Sequence, residues 1–407
     1  MDRHENPYTP GAGAKPPALV GREADLDEVA LALTRASRGQ HARPFIFDGL
    51  RGVGKTVLIN EMEIQAIETG WITSGVIECN ENDKLAPLVA RMALHTLRRL
   101  SRGKRVTGGL KRAFGVLKAF SWTIDEKGQH FRIDVDAITG TADSGDLAVD
   151  IVELMAEIGK IAAAQGSGAL FLLDEMQFLG KEDLGLMSQA MHRVSQESMP
   201  VLLVGAGLPQ LPLMLKDAKG YTERLFEYRT IGSLSRAASA SALTIPAGRH
   251  GVTFSPEALD LILDASAGYP YFLQQWGQMV WDEAENNPIL PEDVRAAEDL
   301  VDDALDRRFF HDRYERASDA EKMYMSAMAD LGDDPRPSAA IAERLGMTTQ
   351  QLSVRRKDLI NKGLIYNPNE GRHDLDFTVP GFAGYVRRVH PFDPNQRLRR
   401  GRPPRRR

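Results

Sequence analysis

An α/β fold, with a mainly parallel sheet covered on both faces and helical segments after it, is predicted for this 407-residue chain. Three observations predict it. Short apolar runs alternate with helical patterns through the first half, the rhythm of strand–helix–strand units. A glycine-rich turn, Gly49-Leu50-Arg51-Gly52-Val53-Gly54-Lys55-Thr56, separates one such run from a helical pattern. From about residue 255 helical spacing takes over.

In chain order, residues 1–17 hold four prolines and several glycines and read as a flexible lead-in. Leu19-Val20-Gly21-Arg22-Glu23 follows, then an amphipathic helix through about Arg35, with Leu26, Val29, Ala30 and Leu33 at helical spacing. Pro44-Phe45-Ile46-Phe47-Asp48 reads as a buried strand, and residues 57–63 continue as a helix after the glycine-rich turn. A strand at Ile72–Glu78 precedes a helix over 85–100 that carries Arg91, Arg98 and Arg99. Residues 101–146 read as an insertion, basic at Arg102, Lys104, Arg105, Lys111 and Arg112, then alternating over 131–135 as a β-hairpin. A helix over 147–164 leads into the apolar run Ala169-Leu170-Phe171-Leu172-Leu173, which ends in Asp174 and Glu175. Helix 182–197 and a strand over 201–205 complete the sheet. Helical patterns at 256–265, 271–285 and 291–310 form a small all-helical domain, set off by the glycines at 248 and 251.

The segment 314–390 carries a third pattern. Helix 319–331 precedes Ser338-Ala339-Ala340-Ile341-Ala342-Glu343-Arg344-Leu345-Gly346, and helix 350–362 follows. Ala342, Gly346 and Leu352 stand where a helix-turn-helix needs a small residue, a turn glycine and an apolar anchor. Two short apolar runs flank a polar turn from Asn367 to Gly371, the strand–loop–strand of a wing. The second helix displays Gln350, Gln351, Ser353, Arg355, Arg356 and Lys357, side chains suited to DNA. A winged helix used for protein contacts alone is the other reading.

The glycine-rich turn fits G-x-x-x-x-G-K-[ST], a P-loop, with a strand before it and a helix after it as that motif requires. Its glycines, Gly49, Gly52 and Gly54, let the chain curl so that N–H groups, those of Arg51, Val53 and Val57 among them, face a phosphate. Lys55 is placed to reach the β- and γ-phosphates, and the Thr56 hydroxyl to ligate Mg²⁺. Asp174 would hold Mg²⁺ through water, and Glu175 would polarise the water that attacks the γ-phosphate. Strand ends in open α/β sheets are where such ligands sit.

Composition sets the outer limits: 43% hydrophobic and 26% charged residues belong to an ordinary soluble globular chain of two or three domains. No apolar run is long enough to span a bilayer, and the N-terminus lacks a signal-peptide core. The single cysteine, Cys79, excludes an internal disulfide and a cysteine zinc site; it reads as a small buried hydrophobe in a reducing cytoplasm. The net charge of −5 hides an asymmetry. Nine arginines fall between Arg387 and Arg407 with one acid, Asp393, which leaves −13 over residues 1–386. A basic tail on an acidic body points to a local anionic partner. Within it Arg400-Gly401-Arg402-Pro403 matches the core of an AT-hook, an extended Arg-Gly-Arg that lies in the narrow minor groove. A nonspecific, disordered polyarginine end is the alternative, and both attract nucleic acid in a salt-sensitive way.

Taken together, Val20-Gly21-Arg22-Glu23, the P-loop, Asp174-Glu175-Met176-Gln177, Gly205-Ala206-Gly207-Leu208-Pro209, Glu223-Arg224-Leu225-Phe226 and Gly268-Tyr269-Pro270 resemble the AAA+/STAND group of P-loop ATPases. The likeness is to bacterial proteins with an origin-recognition-complex-like ATPase domain and a C-terminal winged helix, and it covers about residues 18–390. The resemblance implies adenine packing near Val20, Gly21 and Arg22, and a helical lid whose Pro270 region contacts nucleotide. It makes Arg224 the candidate arginine finger for a neighbouring subunit's ATP, although Arg224 reads equally as a surface residue paired with Glu227 on its own helix. Two departures stand out. The sensor position after the fourth strand is Gly205-Ala206-Gly207 rather than Asn, Ser or Thr, and Gly268-Tyr269-Pro270-Tyr271-Phe272-Leu273-Gln274 has no sensing arginine. Both favour a slow switch over a fast motor.

The expected architecture is then a P-loop parallel-sheet ATPase domain over 18–250, with its insertion at 101–146. An all-helical lid over 251–313, a C-terminal winged helix-turn-helix over 314–390 and a disordered basic tail over 391–407 follow. The expected function is an ATP/ADP- and Mg²⁺-dependent, slowly hydrolysing nucleotide switch. It would be cytoplasmic, free of the membrane, able to self-associate with ATP, and bound to duplex DNA through Gln350, Arg355, Arg356, Lys357, Arg400 and Arg402. The alternative is a STAND-like signalling or defence ATPase whose winged helix is an intramolecular clamp or protein-contact module.

Overall fold

The six-residue run Ala169–Asp174 has no polar position before its end because both of its faces are covered. In the computed structural model, which describes residues 1–11, 13–101, 108–124, 136–368 and 374–394, Phe171 and Leu173 join one core with α-helical side chains. Leu170 and Leu172, which strand alternation sends to the other face, are as fully buried. The chain divides into two units: Gly11–Gly49 with Val53–Ala238, and Met1–Pro10 with Leu50–Gly52 and Ser239–Arg407.

The first unit is built from α1 (Glu23–Ser37), β1 (Phe45–Asp48), α2 (Lys55–Glu68), β2 (Ile72–Glu78), α3 (Leu85–Ser101), α4 (Gly108–Ile124), α5 (Leu147–Ala164), β3 (Ala169–Asp174), α6 (Lys181–Gln196), β4 (Val201–Gly207), α7 (Leu211–Ala218), α8 (Thr222–Leu225) and β5 (Glu227–Thr230). The sheet order is β2-β3-β4-β1-β5 and every pairing is parallel, with Ile46 beside Gly205, Asp48 beside Thr230 and Glu78 beside Asp174. Leu97 of α3, Leu117 of α4, Leu154 of α5 and Met187 of α6 pack on one face, while α1 and α2 cover the other. Asp146 caps α5, accepting from the Ala148 and Val149 N–H groups at 3.0 and 3.4 Å.

Three expectations change in this unit. The 101–146 insertion contains a helix, α4, whose Leu110, Ala113, Val116, Leu117 and Phe120 are buried; the hairpin expected over 131–135 lies outside the described residues. A fifth strand, β5, closes the sheet edge where no strand is expected. Arg224 and Glu227 do not share a helix, since α8 ends at Leu225 and Glu227 opens β5, where it faces Arg43 at 3.5 Å and Arg229 at 3.7 Å.

The second unit holds α9 (Arg236–Arg249), α10 (Pro256–Ser266), α11 (Pro270–Glu283), α12 (Pro291–Leu305), a π-helical turn over Asp306–Phe310 and α13 (His311–Glu315). Then come α14 (Asp319–Asp330), β6 (Arg336–Pro337), α15 (Ser338–Arg344), α16 (Ser353–Asn361), β7 (Ile365–Tyr366), β8 (Asp374–Phe377) and α17 (Phe382–Val389). Strand β8 lies antiparallel between β6 and β7. Buried Arg336 ties this small sheet together by pairing with Asp376 at 2.6 Å. Residues 1–10, expected as part of a flexible lead-in, are held by Tyr8: its hydroxyl donates to Leu243 O at 2.5 Å and its ring lies against Gly277, where a Cβ would come within 2.6 Å. A single aromatic anchor does not show in a proline-rich composition. Helix α16 starts at Ser353, so Gln350 stands in the preceding turn rather than on the helix. Among the described residues no helix is long and apolar enough to cross a membrane.

Candidate active site

Strand β1 delivers the glycine-rich turn from inside the sheet, between β4 and β5. Gly49 N–H donates to Gly207 O at 3.2 Å, and a Cβ on Gly49 would meet Ile231 O at 2.2 Å, so the backbone packing excludes a side chain there. Gly54 caps α2 in the left-handed region, φ 91°, with open space where a Cβ would stand. Gly54 thus leads the chain into the N-terminus of α2, whose positive end suits a phosphate.

Lys55 opens α2. It is 7% exposed and its Nζ donates to Gly49 O at 2.7 Å, so the ammonium is folded back along the turn. Thr56 Oγ1 donates to Asp174 Oδ2 at 2.6 Å. The two oxygens expected to serve Mg²⁺, one from α2 and one from β3, thus meet. Burial raises the Asp174 carboxyl above its ordinary value; the Thr56 hydroxyl opposes this and the Glu175 charge adds to it. Glu175 follows in a left-handed conformation, φ 54° and ψ 37°, with its N–H on Asp174 Oδ1 at 2.8 Å. Its Oε2 accepts from Gln177 Nε2. Hydroxyl, carboxylates and an ammonium beside a phosphate cradle fit a nucleoside triphosphate with Mg²⁺, a cation that takes oxygen ligands.

The other expected residues fall in different places. Arg22 reaches the turn, donating from Nη2 to Val53 O at 3.2 Å and to Gly232 O at 2.5 Å, so it braces the P-loop backbone. Val20 and Val57 are half-buried, Gly21 is exposed and Val53 is buried. Arg51 and Gly52 group with the second unit, where Pro270 opens α11. Arg224 is exposed on α8, beside Glu223, which pairs with Lys216 at 2.6 Å. Gln350 and Lys357 are exposed and Arg355 and Arg356 half-buried at α16, while Arg400 and Arg402 lie outside the described residues. Cys79 is fully buried, which pushes its thiol up to about 12, as a packing residue would be.

Two buried polar side chains beside these residues escape sequence reasoning. Asp48, buried beside the turn, accepts from Thr230 Oγ1 at 3.2 Å, and burial pushes its carboxyl up to about 6 against the pull of Thr230 and Lys55. Its only signal is adjacency to Gly49. Gln177, also buried, links Glu175 to Leu208 N–H, which reaches its Oε1 at 3.1 Å; nothing in its spacing marks that partner.

Residues 18–204 match the family model described as AAA ATPase domain. Residues 307–386 match a model described as Domain of unknown function (DUF8462). A Walker-type ATPase of Pyrococcus abyssi is similar in structure, with TM-score 0.58 and 14% identity, covering 91% of this chain and 96% of that one. The likeness is one of fold. The ORC1 protein of Aeropyrum pernix in complex with DNA aligns with TM-score 0.45 and 18% identity over 95% of this chain and 96% of its own. Cdc6p of Pyrobaculum aerophilum aligns with TM-score 0.43 and 13% identity over 95% and 97%. No curated protein matches the chain.

Proposed function

We propose that the chain is an ATP-dependent switch that binds ATP with Mg²⁺ at the P-loop, hydrolyses it slowly and associates with duplex DNA. The Thr56–Asp174 bond of 2.6 Å beside buried Lys55 carries the nucleotide part of this reading. Lys55 exchanges the Gly49 carbonyl for phosphate oxygens, so its desolvated charge is already placed. Thr56 and Asp174 would hold Mg²⁺, which would supply positive charge beside the phosphates. Glu175 would orient a water and take its proton as that water attacks the γ-phosphorus and the bond to the β,γ-bridging oxygen breaks, releasing ADP and phosphate. The side-chain-poor end of β4, Gly205-Ala206-Gly207, supports a slow rate, since it offers the γ-phosphate no polar side chain.

Calorimetry and turnover assays test this directly. Lys55→Ala should weaken ATP binding more than tenfold, roughly above 1.4 kcal/mol. Glu175→Gln should keep binding and lose about 10²–10⁴-fold in hydrolysis. Wild-type affinity in the first variant, or wild-type turnover in the second, overturns the assignment of that residue.

The DNA part rests on the residues of α16 and on the arginine-rich tail. The order α14-β6-α15-α16-β7-β8 supports a winged helix, with α16 as the reading helix. One observation favours the second reading, an internal clamp. The C-terminal segment is fastened to the helices before it: Phe310 meets Phe382 and Tyr385 at 5.7 and 5.5 Å, and Arg388 pairs with Asp306 at 2.5 Å. Turnover measured with and without duplex DNA separates the two, because only the first reading expects DNA to change the rate.

A further inference from the structure

Two residues after the Asp174–Glu175 pair, the Gln177 side chain turns back on it. Glu175 opens a short 3-10 turn over Met176–Phe178, closed by Phe178 N–H on Glu175 O at 3.1 Å and Leu179 N–H on Met176 O at 3.0 Å. That turn folds Gln177 inward, where it is 8% exposed. Its Oε1 accepts from Leu208 N–H at 3.1 Å, just past the end of β4, and its Nε2 donates to Glu175 Oε2. The amide has one orientation available. Leu208 N–H can only donate, so it needs the oxygen, and an ionised Glu175 can only accept, so it needs the nitrogen. A flipped amide loses both bonds.

The end of β4 is shaped around this amide. A Cβ on Gly207 would lie 2.7 Å from Gln177 Oε1, so a side chain at that position and the Gln177 amide cannot share the space. The end of β4, Gly205-Ala206-Gly207, carries no polar side chain, and Gln177 reaches the backbone just beyond it from the turn after β3.

We infer that Gln177 is a positioning residue for Glu175. It fixes the carboxylate against the backbone of β4, and so sets the direction from which Glu175 meets the attacking water. This rests on the reading of Glu175 as the water-activating base.

Two variants decide it. Gln177→Met keeps the length and removes both bonds. Gln177→Glu keeps an oxygen for Leu208 N–H but turns an acceptor toward Glu175. Turnover should fall about 10²-fold in both, the scale of a misplaced catalytic group, with KM and ATP affinity unchanged. In the nucleotide-free protein Gln177→Met should melt lower than wild type, because Leu208 N–H is left buried without an acceptor, and so should Gln177→Glu, because its buried carboxylate faces that of Glu175. In the Glu175→Gln background neither change should slow turnover further. Wild-type turnover in Gln177→Glu would overturn the inference and leave Gln177 as a strand fastener, as would a loss of ATP affinity matching the loss of rate. Should Glu175→Gln itself turn over normally, the base assignment fails and this inference with it. An inactive Glu175→Gln beside fully active Gln177 variants defeats this inference alone.

Discussion

Asp48 shows how much of the site is set by burial. Its carboxyl has an ordinary value of 3.8 and is raised to about 6 in the folded chain, chiefly by desolvation. The folded state therefore holds that proton more tightly than the unfolded state. The resulting stability is complete below 3.8 and is lost as the pH rises through about 6. Asp48→Asn keeps an oxygen for the Thr230 hydroxyl and removes the titration. Wild-type stability relative to this variant should fall by up to about 3 kcal/mol between about pH 4 and pH 6.5, then level off. Parallel curves in urea unfolding across that range would show that Asp48 is not raised. Lys55, Thr56 and Asp174 are legible in the sequence because the P-loop encodes its own geometry in local spacing and an apolar run announces the strand that ends in Asp174. Asp48 and Gln177 are not, because Thr230 and Leu208 lie 182 and 31 residues away and only the sheet brings them near.

Among elements, α16 makes the sharpest demand. If it enters the major groove, replacing Arg355 and Arg356 with Ala should relax sequence discrimination, at about 1–3 kcal/mol per lost bidentate base contact. Deleting residues 396–407 takes away seven arginines. Affinity should then drop for all sequences alike, and the salt dependence should become shallower by about 0.9 log units per lost phosphate contact. Anisotropy titrations over a salt series distinguish the two. Full-length protein that ignores duplex DNA at low salt, with and without ATP, would end the DNA reading and leave the clamp. The central strands are readable as elements because burial on both faces removes every polar interruption from β3 and β4. Strand β5 is not: Glu227-Tyr228-Arg229-Thr230 is a half-buried edge with no apolar run to announce it. Helix α4 is hidden differently. Its buried Leu110, Ala113, Leu117 and Phe120 keep helical spacing, but Lys111, Arg112, Gly115 and Lys118 between them read as an irregular basic insertion.

For the whole molecule, the open matter is whether one copy completes another's site. Arg224 is exposed on α8 and so available to a second chain. Mixing Arg224→Ala with Glu175→Gln should restore part of the turnover if the arginine acts across subunits, because a mixed interface can join an intact Glu175 to an intact Arg224. No recovery, with a monomeric wild type by light scattering in ATP, would leave Arg224 as an ordinary surface residue. The seating of Tyr8 has a consequence of another kind, for the order in which the chain can fold. Tyr8 leaves the ribosome 235 residues before Leu243, the carbonyl that receives its hydroxyl. The sheet unit lies between them in sequence and can form while the tyrosine still has no seat. Closing so long a loop costs little more entropy than closing one half as long, about 0.6 kcal/mol per doubling, but it cannot come early. A proline-rich segment suits that wait, because the only regular element it forms among the described residues is a single 3-10 turn, Arg3–Glu5. Tyr8 thus completes a unit made mostly of residues from Ser239 onward.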